Sequence, residues 1–317
     1  SQLPRKAYAS QDGLCCVDTL HRVTITGLEK NTTYFYRVLS QEVKELLPYR
    51  PVLGNIVSTD IWEKPLTFTT LDGRQETLSI VMINDIHGKN DLQKKLLEMA
   101  PPQNVDMVVF CGDMCNYINK QSDIFTGFLD TSVGLFASRK PFVYVRGNHE
   151  TRGAYARNFF RYLAGPEGKF YYAFTYGPIR FIVLDSGEDK PDTDVEYSGL
   201  VDFDNYILEQ KEWLARELES PEFRAASFRV VLSHIPFGKG SWYGSERLRK
   251  QLLPLLESVR IDLMLSGHNH AFGFMDKGKV TAFPIIVNSN NSVLTMFGSK
   301  DLLKVQVKQI DGKVLLE

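Results

Sequence analysis

The sequence predicts an α/β fold preceded by a short all-β segment. From Leu78 onward, apolar runs of strand length alternate with amphipathic helical patterns, whereas the first seventy or so residues show strand and turn patterns only. Apolar runs separated by helices are typical of a largely parallel sheet that is covered by helices. A length of 317 residues also accommodates one small and one large domain.

The all-β segment is indicated by β-branched and aromatic stretches with turn residues between them. These stretches are residues 21–25, 33–39 and 65–70. Residues 71–74 (LDGR) then have the composition of a linker. We therefore predict a β domain over residues 1–72 and an α/β domain over residues 73–317.

In the α/β part, six apolar runs predict strands and five amphipathic patterns predict helices. The predicted strands are 78–84, 105–111, 141–145, 180–184, 228–233 and 261–266. The predicted helices are 91–99, 124–138, 154–163, 203–219 and 246–258. The tail, residues 302–316, predicts a hairpin that turns at Asp311 and Gly312.

The amino-acid composition limits the kinds of binding partner that are expected. The formal net charge is −1, from 37 Lys and Arg against 38 Asp and Glu. This balance gives no electrostatic reason to expect nucleic acid or an anionic membrane. No apolar run approaches the roughly 18 residues of a membrane span. The chain begins at Ser1 rather than Met, which leaves an upstream signal, and so the compartment, open.

Five of the six histidines follow predicted strands directly. Ligands of open α/β sheets bind outside the carboxyl ends of the strands, so these ends are expected to form one site. The polar runs at these ends are Asp85-Ile86-His87, Gly112-Asp113, Gly147-Asn148-His149-Glu150, Ser233-His234 and Gly267-His268-Asn269-His270. A single histidine at a strand end is more often structural than a ligand, but five such runs are hard to assign to chance.

The residue types in these runs point to metal chemistry. Imidazole and carboxylate groups suit Mn, Fe and Zn, and one carboxylate can bridge two cations. Asp85 and His87 are two residues apart at a strand end and can reach one metal together. His268 and His270 have the same spacing and could divide between two metals. The glycines beside them let the backbone pass close to a crowded site.

In this order the runs resemble the calcineurin-like metallophosphoesterase superfamily, whose pattern is DxH, GD, GNH(D/E), H and GHxH. The resemblance covers residues 78–270 and implies a four-layer αββα sandwich with two Mn, Fe or Zn ions. It implies that one metal takes Asp85, His87, Asp113 and His270. It implies that the other takes Asp113, Asn148, His234 and His268. His149 would contact the phosphate and protonate or stabilise the leaving group. Glu150 is expected to be structural or to orient a histidine.

Within the superfamily the chain resembles the purple-acid-phosphatase branch. Residues 21–39 and the run PLTFTT are similar to the N-terminal fibronectin-III-like domain of that branch. The resemblance favours a periplasmic or secreted protein, and the β domain would serve interaction or dimerisation.

Two departures from the branch concern the site. The branch has DxG and GDxxY, where the tyrosine ligates iron and gives the colour. Here His87 replaces the glycine and Tyr117 comes one residue late, so we predict no tyrosinate ligand and no purple colour. The branch also has a pocket histidine soon after VxxH. Here the next histidine after His234 is His268, which weakens the case for acid-phosphatase specificity.

The function expected first is hydrolysis of small phosphate monoesters by a metal-bound hydroxide. Phosphodiester hydrolysis on the same metal core is the alternative, and a non-catalytic scaffold is a third hypothesis. Arg152, Asn116, Tyr117 and Trp242 are candidates for the substrate pocket. For Arg152 a surface ion pair is an equally open interpretation. For Trp242, in the loop 237–249, the other interpretation is an exposed aromatic without a ligand role.

Overall fold

The computed structural model describes residues 5–60, 62–71, 73–238, 240 and 242–317. The chain divides into two compact units, Ser1–Arg74 and Gln75–Glu317. Asp72 of the expected linker and Lys239 and Ser241 of the loop 237–249 lie outside the described residues.

The first unit consists of three antiparallel strand pairs in the part of it that is described. The pairs are β1 (Ser10–Gln11) with β2 (Leu14–Cys15), β3 (Thr33–Tyr36) with β6 (Leu66–Thr69), and β4 (Leu39–Glu45) with β5 (Val52–Ser58). Tyr34 lies opposite Phe68, and their rings stack at 5.7 Å, which is a favourable cross-strand contact. The strand predicted over 65–70 is therefore confirmed.

Two expectations for this unit need correction. Residues 21–25 form no strand, because Val23 and Ile25 are nearly half exposed and there is no buried face to hold a ladder. Residues 33–39 are interrupted after Tyr36, so that β3 and β4 belong to different sheets. The fibronectin-III-like character of residues 1–72 stays a prediction.

The second unit contains two six-stranded mixed sheets. The first sheet has the order β18-β17-β16-β7-β8-β9 and consists of β7 (Leu78–Ile83), β8 (Met107–Cys111), β9 (Phe142–Val145), β16 (Ser292–Gly298), β17 (Leu303–Gln309) and β18 (Val314–Leu316). The second has the order β10-β11-β12-β13-β15-β14 and consists of β10 (Tyr172–Tyr176), β11 (Ile179–Leu184), β12 (Phe228–Ser233), β13 (Leu263–Ser266), β14 (Gly273–Met275) and β15 (Ile285–Val287).

All six predicted strands of this unit are present, and so is the C-terminal hairpin β17–β18. Strands β7, β8 and β9 run parallel, as do β11, β12, β13 and β15. The remaining strands are antiparallel and were not predicted, apart from the hairpin. The expectation of mostly parallel strands therefore holds for one half of the first sheet and for the centre of the second.

The α-helices are α1 (Asn90–Met99), α2 (Gln121–Ile124), α3 (Asp130–Ser132), α4 (Phe160–Leu163), α5 (Phe203–Glu217), α6 (Pro221–Ala225), α7 (Tyr243–Gln251) and α8 (Leu253–Glu257). Two π-helical segments, Phe125–Leu129 and Val133–Ala137, join α2 and α3 into one longer helical stretch. Short 3-10 turns occur at Pro102–Asn104, His149–Thr151, Ala156–Asn158, Pro166–Gly168 and Val195–Tyr197. None of the helices in the described ranges combines the length and the apolar character needed to cross a bilayer.

Helices α1 and α5 agree with the predictions within two residues at each end. The helix predicted over 246–258 is instead two helices, because Pro254 has no N–H to continue the ladder. The helix predicted over 154–163 is a 3-10 turn followed by the single turn α4. Local sequence also explains α6, where Pro221 takes the first position and Ser220 accepts a hydrogen bond from the Phe223 N–H at 3.0 Å.

Three apolar cores separate four layers. Alternate residues of a strand point to opposite faces, so Ile80 of β7 packs between the two sheets whereas Val81 packs outward. The core between the sheets joins Ile80 to Phe181 and Leu232. The outer cores join Val81 to Leu96 and Phe128, and Ile182 to Ile207 and Leu214. The order of layers is therefore helix, sheet, sheet, helix, as the resemblance implied.

Candidate metal centre

The polar runs follow the carboxyl ends of five strands, three in the first sheet and two in the second. Asp85 and His87 follow β7, Asp113 follows β8, and Asn148 and His149 follow β9. His234 follows β12, and His268 and His270 follow β13. The His234 Nδ1 lies 2.7 Å from the carbonyl oxygen of Cys111, which links the ends of the two sheets.

The side chains of these runs converge. Potential ligand atoms lie within 4.8 Å of one another in three groups. The groups are Asp85, His87 and His270; Asp113, His234 and His268; and His87, Asp113 and His149. The closest approaches include His234 Nε2 to Asp113 Oδ2 at 3.1 Å and His270 Nε2 to Asp85 Oδ1 at 3.2 Å. We call this set, together with Asn148, the rim cluster.

Backbone strain is concentrated in the rim cluster. Ten non-glycine residues of the described chain have a positive φ, and five of them belong to the cluster. They are Asp85 (54°), His87 (50°), Asp113 (54°), His268 (72°) and His270 (55°). Such conformations cost about 1–3 kcal/mol each and persist where the surrounding structure fixes them, typically at functional sites. The concentration of strain therefore supports the rim cluster as a candidate functional site.

Two glycines permit the close approach of the loops. A Cβ on Gly147 would collide with the backbone and the carboxylate of Asp113. A Cβ on Gly112, whose φ is 83°, would collide with the ring of His234. Glycine is therefore required at both positions for the loops that carry Asp113, His234 and Asn148 to approach one another this closely.

The rim cluster contains buried polar atoms without a hydrogen bond, which is uncommon in native proteins. Asn84 Nδ2 at 2.6 Å and the His268 N–H at 2.9 Å both donate to Asp85 Oδ2, whereas Asp85 Oδ1 has no hydrogen bond. The other such atoms in the cluster include Asn148 Oδ1, His234 Nε2 and His268 Nε2. Carboxylate, amide and imidazole atoms of this kind are ligands of Mn, Fe and Zn. The residues present therefore fit a metal centre.

A series of hydrogen bonds between fully buried side chains fixes the orientation of Asp85. Asn84 receives a hydrogen bond from Asn288 Nδ2 at 2.8 Å, and the Ser292 hydroxyl donates to Asn288 Oδ1 at 2.7 Å. All three side chains are fully buried. Hydrogen bonds of this kind orient metal ligands and raise metal affinity. These contacts could not be predicted from the sequence, because residues 84 and 288 are 204 positions apart.

Charge pairing is strong at Asp113 and His234. Burial lowers the pKa of His234, but Asp113 and Asp85 outweigh it and raise that pKa to about 10. Burial raises the pKa of Asp113, but His234 and His149 lower it well below its usual range. Burial and His234 lower the pKa of His268 to about 4. Without metal, His234 therefore carries a proton at neutral pH and His268 does not.

We expect the affinity for Mn²⁺ to fall as the pH falls. A histidine ligand must be neutral, and the raised pKa of His234 means that metal binding displaces a proton at any pH below about 10. One displaced proton corresponds to about a tenfold loss of affinity per pH unit. Calorimetric Mn²⁺ titrations in buffers of different ionisation enthalpy measure the released proton. An affinity that is constant between about pH 6 and pH 8 would contradict this expectation.

Glu150 fixes two loops of the cluster through their backbone. It is fully buried and accepts hydrogen bonds from the N–H groups of Asp113, Cys115 and Gly147, each at 2.9 Å. Burial, followed by the charge of Asp113, raises the pKa of Glu150 to about 7. In the described structure Glu150 therefore holds loop backbone, which agrees with the structural one of its two expected roles.

We expect Glu150→Gln to weaken both folding and metal binding. A glutamine presents an NH₂ group to at least one of the three backbone N–H donors and leaves it buried without an acceptor, at a cost of about 1–3 kcal/mol. Thermal denaturation and a metal titration measure the two effects. The exposed Glu98→Gln is the matched control. Unchanged stability and unchanged metal affinity in Glu150→Gln would show that these hydrogen bonds are dispensable.

The four pocket candidates differ in their relation to the cluster. Arg152 Nη1 lies 3.3 Å from His149 Nε2, and the Asn116 carbonyl oxygen lies 2.8 Å from His149 Nδ1. The Trp242 ring meets the His268 ring edge-on, with 5.0 Å between ring centroids. Tyr117 and Trp242 are both more than half exposed. Arg152 also forms the ion pair that was the open alternative, but with the buried Glu188 rather than with a surface partner.

Two facing mixed sheets with imidazole and carboxylate groups gathered at their carboxyl ends define the metallophosphoesterase class. The sequence profile described as calcineurin-like phosphoesterase matches residues 78–272. The chain belongs to this family.

Relatives of known description agree with the assignment. The chain is 24% identical over 273 residues to purple acid phosphatase 22 of Arabidopsis thaliana, covering 80% of this chain and 53% of that protein. It is 24% identical over 295 residues to a purple acid phosphatase of Glycine max, covering 84% and 55%. The chain thus spans little more than half the length of these relatives.

Solved structures show the same fold. A purple acid phosphatase from yellow lupin (Lupinus luteus) seeds superposes with a TM-score of 0.66 and 16% identity, covering 93% of this chain and 60% of that one. A dimetal phosphatase from Danio rerio superposes with a TM-score of 0.54 and 16% identity, covering 73% and 95%. At this identity the likeness concerns the fold alone.

Proposed function

We propose that this chain hydrolyses small phosphate monoesters at a centre of two metal ions. The observation that carries the proposal is the convergence of buried carboxylate, amide and imidazole atoms at the rim cluster, several of them without a hydrogen bond. One ion would be held by Asp85, His87, Asp113 and His270. The other would be held by Asp113, Asn148, His234 and His268, with the Asp113 carboxylate shared between them.

The residues around the centre suit phosphoryl transfer. Two bound cations supply charge neutralisation and lower the pKa of bound water toward about 7. The carbonyl oxygen of Asn116 can only accept, so His149 Nδ1 is the donor of that hydrogen bond. In the structure His149 Nε2 lies 3.3 Å from the donor Arg152 Nη1. We assign to Nε2 the role of holding a proton for the leaving alkoxide once a substrate oxygen takes up the Arg152 N–H.

A panel of two substrates tests the proposal. The protein, loaded separately with Mn²⁺, Zn²⁺ or Fe, is assayed with p-nitrophenyl phosphate and bis-p-nitrophenyl phosphate. We expect a higher kcat/KM for the monoester with at least one metal. A dominant rate with the diester would replace the proposal by phosphodiester hydrolysis. A protein that binds metal but cleaves neither ester would be a scaffold.

We expect the iron-loaded protein to lack a purple colour. His87 stands where the branch has glycine, and its Nε2 lies 3.9 Å from Asp85 Oδ1 and 4.0 Å from Asp113 Oδ2, inside the cluster. A ligand position that tyrosine would need is therefore taken by imidazole. Visible absorption spectroscopy of the Fe-loaded protein and of the variant Tyr117→Phe checks this. A charge-transfer band that disappears in Tyr117→Phe would establish a tyrosinate ligand.

The first unit has a proposed role of its own. We propose that residues 1–72 form a fibronectin-III-like module for interaction or dimerisation, supported by the paired strands of that unit. The α/β domain over residues 73–317 would then carry the hydrolytic site.

A further inference from the structure

We infer that Arg152, held by Glu188, contacts the phosphate group of the substrate and gives the site its preference for dianionic monoesters over monoanionic diesters. This inference rests on the proposed function and assigns its substrate selectivity to one ion pair.

The Arg152 guanidinium is fixed along one edge. Its Nε donates to Glu188 Oε1 at 3.0 Å and its Nη2 donates to Glu188 Oε2 at 2.8 Å, which is a two-point contact. Nη2 also lies 3.4 Å from Asp189 Oδ1. The Arg152 side chain is 29% exposed, whereas that of Glu188 is only 1% exposed. The edge that carries Nη1 is therefore the one that faces the cluster.

Glu188 is itself held in place by hydrogen bonds to its carboxylate and to its backbone carbonyl. Its carboxylate accepts hydrogen bonds from the Thr151 hydroxyl and from the Tyr197 hydroxyl, the latter at 3.0 Å. Its carbonyl oxygen accepts from Arg247 Nη2 at 2.8 Å. A carboxylate with this many donors cannot rotate freely, so the position of Arg152 is set before any ligand arrives. Preorganisation of this kind lowers the entropic cost of binding.

The Nη1 edge of Arg152 donates to His149 Nε2, the nitrogen assigned to the reaction. Nη1 is 3.3 Å from His149 Nε2, so an oxygen that is hydrogen-bonded to Nε2 also lies within reach of Nη1. Arginine suits phosphate oxygens because its planar guanidinium is always charged and its N–H groups have fixed directions. The remaining edge of Arg152 is thus a built donor for a phosphate oxygen.

The charge of the phosphate ester determines how strongly the Arg152 guanidinium stabilises it. A phosphate monoester carries about −1.5 to −2 charge at neutral pH, because its second pKa is about 6. A diester carries one charge and offers one fewer charged oxygen. A fixed guanidinium therefore stabilises a monoester more than a diester. The carboxylates of Glu188 and Asp189 lie on the opposite edge of the guanidinium and are engaged by Nε and Nη2.

The test compares Arg152→Gln, Arg152→Lys and Glu188→Gln with the exposed control Arg216→Gln in helix α5. Each metal-loaded protein is assayed with p-nitrophenyl phosphate and bis-p-nitrophenyl phosphate, and binding of inorganic phosphate is measured by calorimetry. Metal content is determined for every variant. The double variant Arg152→Gln/Glu188→Gln replaces the ion pair by a neutral amide pair. It is assayed in place of a single variant that fails to fold.

We expect Arg152→Gln to lower kcat/KM for the monoester by about 10- to 100-fold, as for a lost hydrogen bond to a charged group, and for the diester by much less. Phosphate affinity falls by a similar factor while metal content stays that of the wild type. Arg152→Lys retains only part of the wild-type monoester kcat/KM and phosphate affinity. Glu188→Gln lowers both of these quantities, but by a smaller factor than Arg152→Gln. An unchanged monoester-to-diester ratio and unchanged phosphate affinity in Arg152→Gln would overturn the inference. Failure of the wild type to cleave either ester would instead overturn the proposed function.

Discussion

Asp113→Ala is expected to abolish metal binding and turnover together. Asp113 approaches both halves of the rim cluster, with Oδ2 3.1 Å from His234 Nε2 and 4.0 Å from His87 Nε2. Its loss removes one ligand from each proposed ion. Metal-based charge stabilisation contributes several kcal/mol to a phosphoryl-transfer transition state. That corresponds to a loss of about a thousandfold or more in kcat/KM.

Metal analysis of purified Asp113→Ala and Asp113→Asn, together with their kcat/KM, measures this effect. Asp113→Asn keeps an oxygen that can accept the His149 N–H, which Oδ1 accepts at 3.0 Å in the native chain. Asp113→Asn therefore removes the negative charge but keeps the hydrogen bond to the loop that carries His149, whereas Asp113→Ala removes both. The matched control is Asp91→Ala, whose side chain is 94% exposed. Full metal content in both Asp113 variants would disprove the bridging role.

His149→Ala is expected to lose turnover while keeping its metals. His149 contacts the rim cluster through a backbone N–H and through Nε2, which lies 3.9 Å from Asp113 Oδ2. The backbone contact survives in alanine. General acid catalysis contributes about 10²- to 10⁴-fold, so a loss of that size is expected with alkyl phosphates.

The leaving group provides an internal control for this variant. p-Nitrophenolate departs without a proton, so His149→Ala loses less activity with p-nitrophenyl phosphate than with β-glycerophosphate. The matched control is His21→Ala, because His21 is exposed in the first unit and lies outside the rim cluster. Equal losses with both substrates would mean that His149 acts on the phosphate rather than on the leaving group. Near wild-type turnover would remove the role altogether.

The site was predictable from sequence to a large extent because its residues lie at fixed offsets from strands. Runs such as residues 107–111 are buried on both faces and therefore apolar throughout, which makes their ends easy to locate. Parallel strands place Asp113 at the carboxyl end of the first sheet and His234 at the carboxyl end of the second, and these two ends meet at the rim cluster. The positive φ values at Asp85 and His270 were not predictable, because they are imposed by packing rather than by residue type.

Features that depend on distant contacts escaped the prediction. Glu188 lies just after β11, in a position that fits the rule about strand ends, yet an acidic residue there gives no sign of its partner Arg152, 36 positions away. Asn288 reaches Asn84 across the sheet ends. In the first unit, alternation at 21–25 was a misleading signal, since a pattern of period two produces a strand only where one face is buried.

The proposed function requires that the rim cluster hold two cations that share Asp113. The most direct measurement is an anomalous difference map from crystals of the protein grown or soaked with Mn²⁺. We expect two peaks about 3.5–4 Å apart, one beside Asp85, His87 and His270 and the other beside Asn148, His234 and His268. A map with no peak at the cluster, or with a single peak that does not contact Asp113, would contradict it.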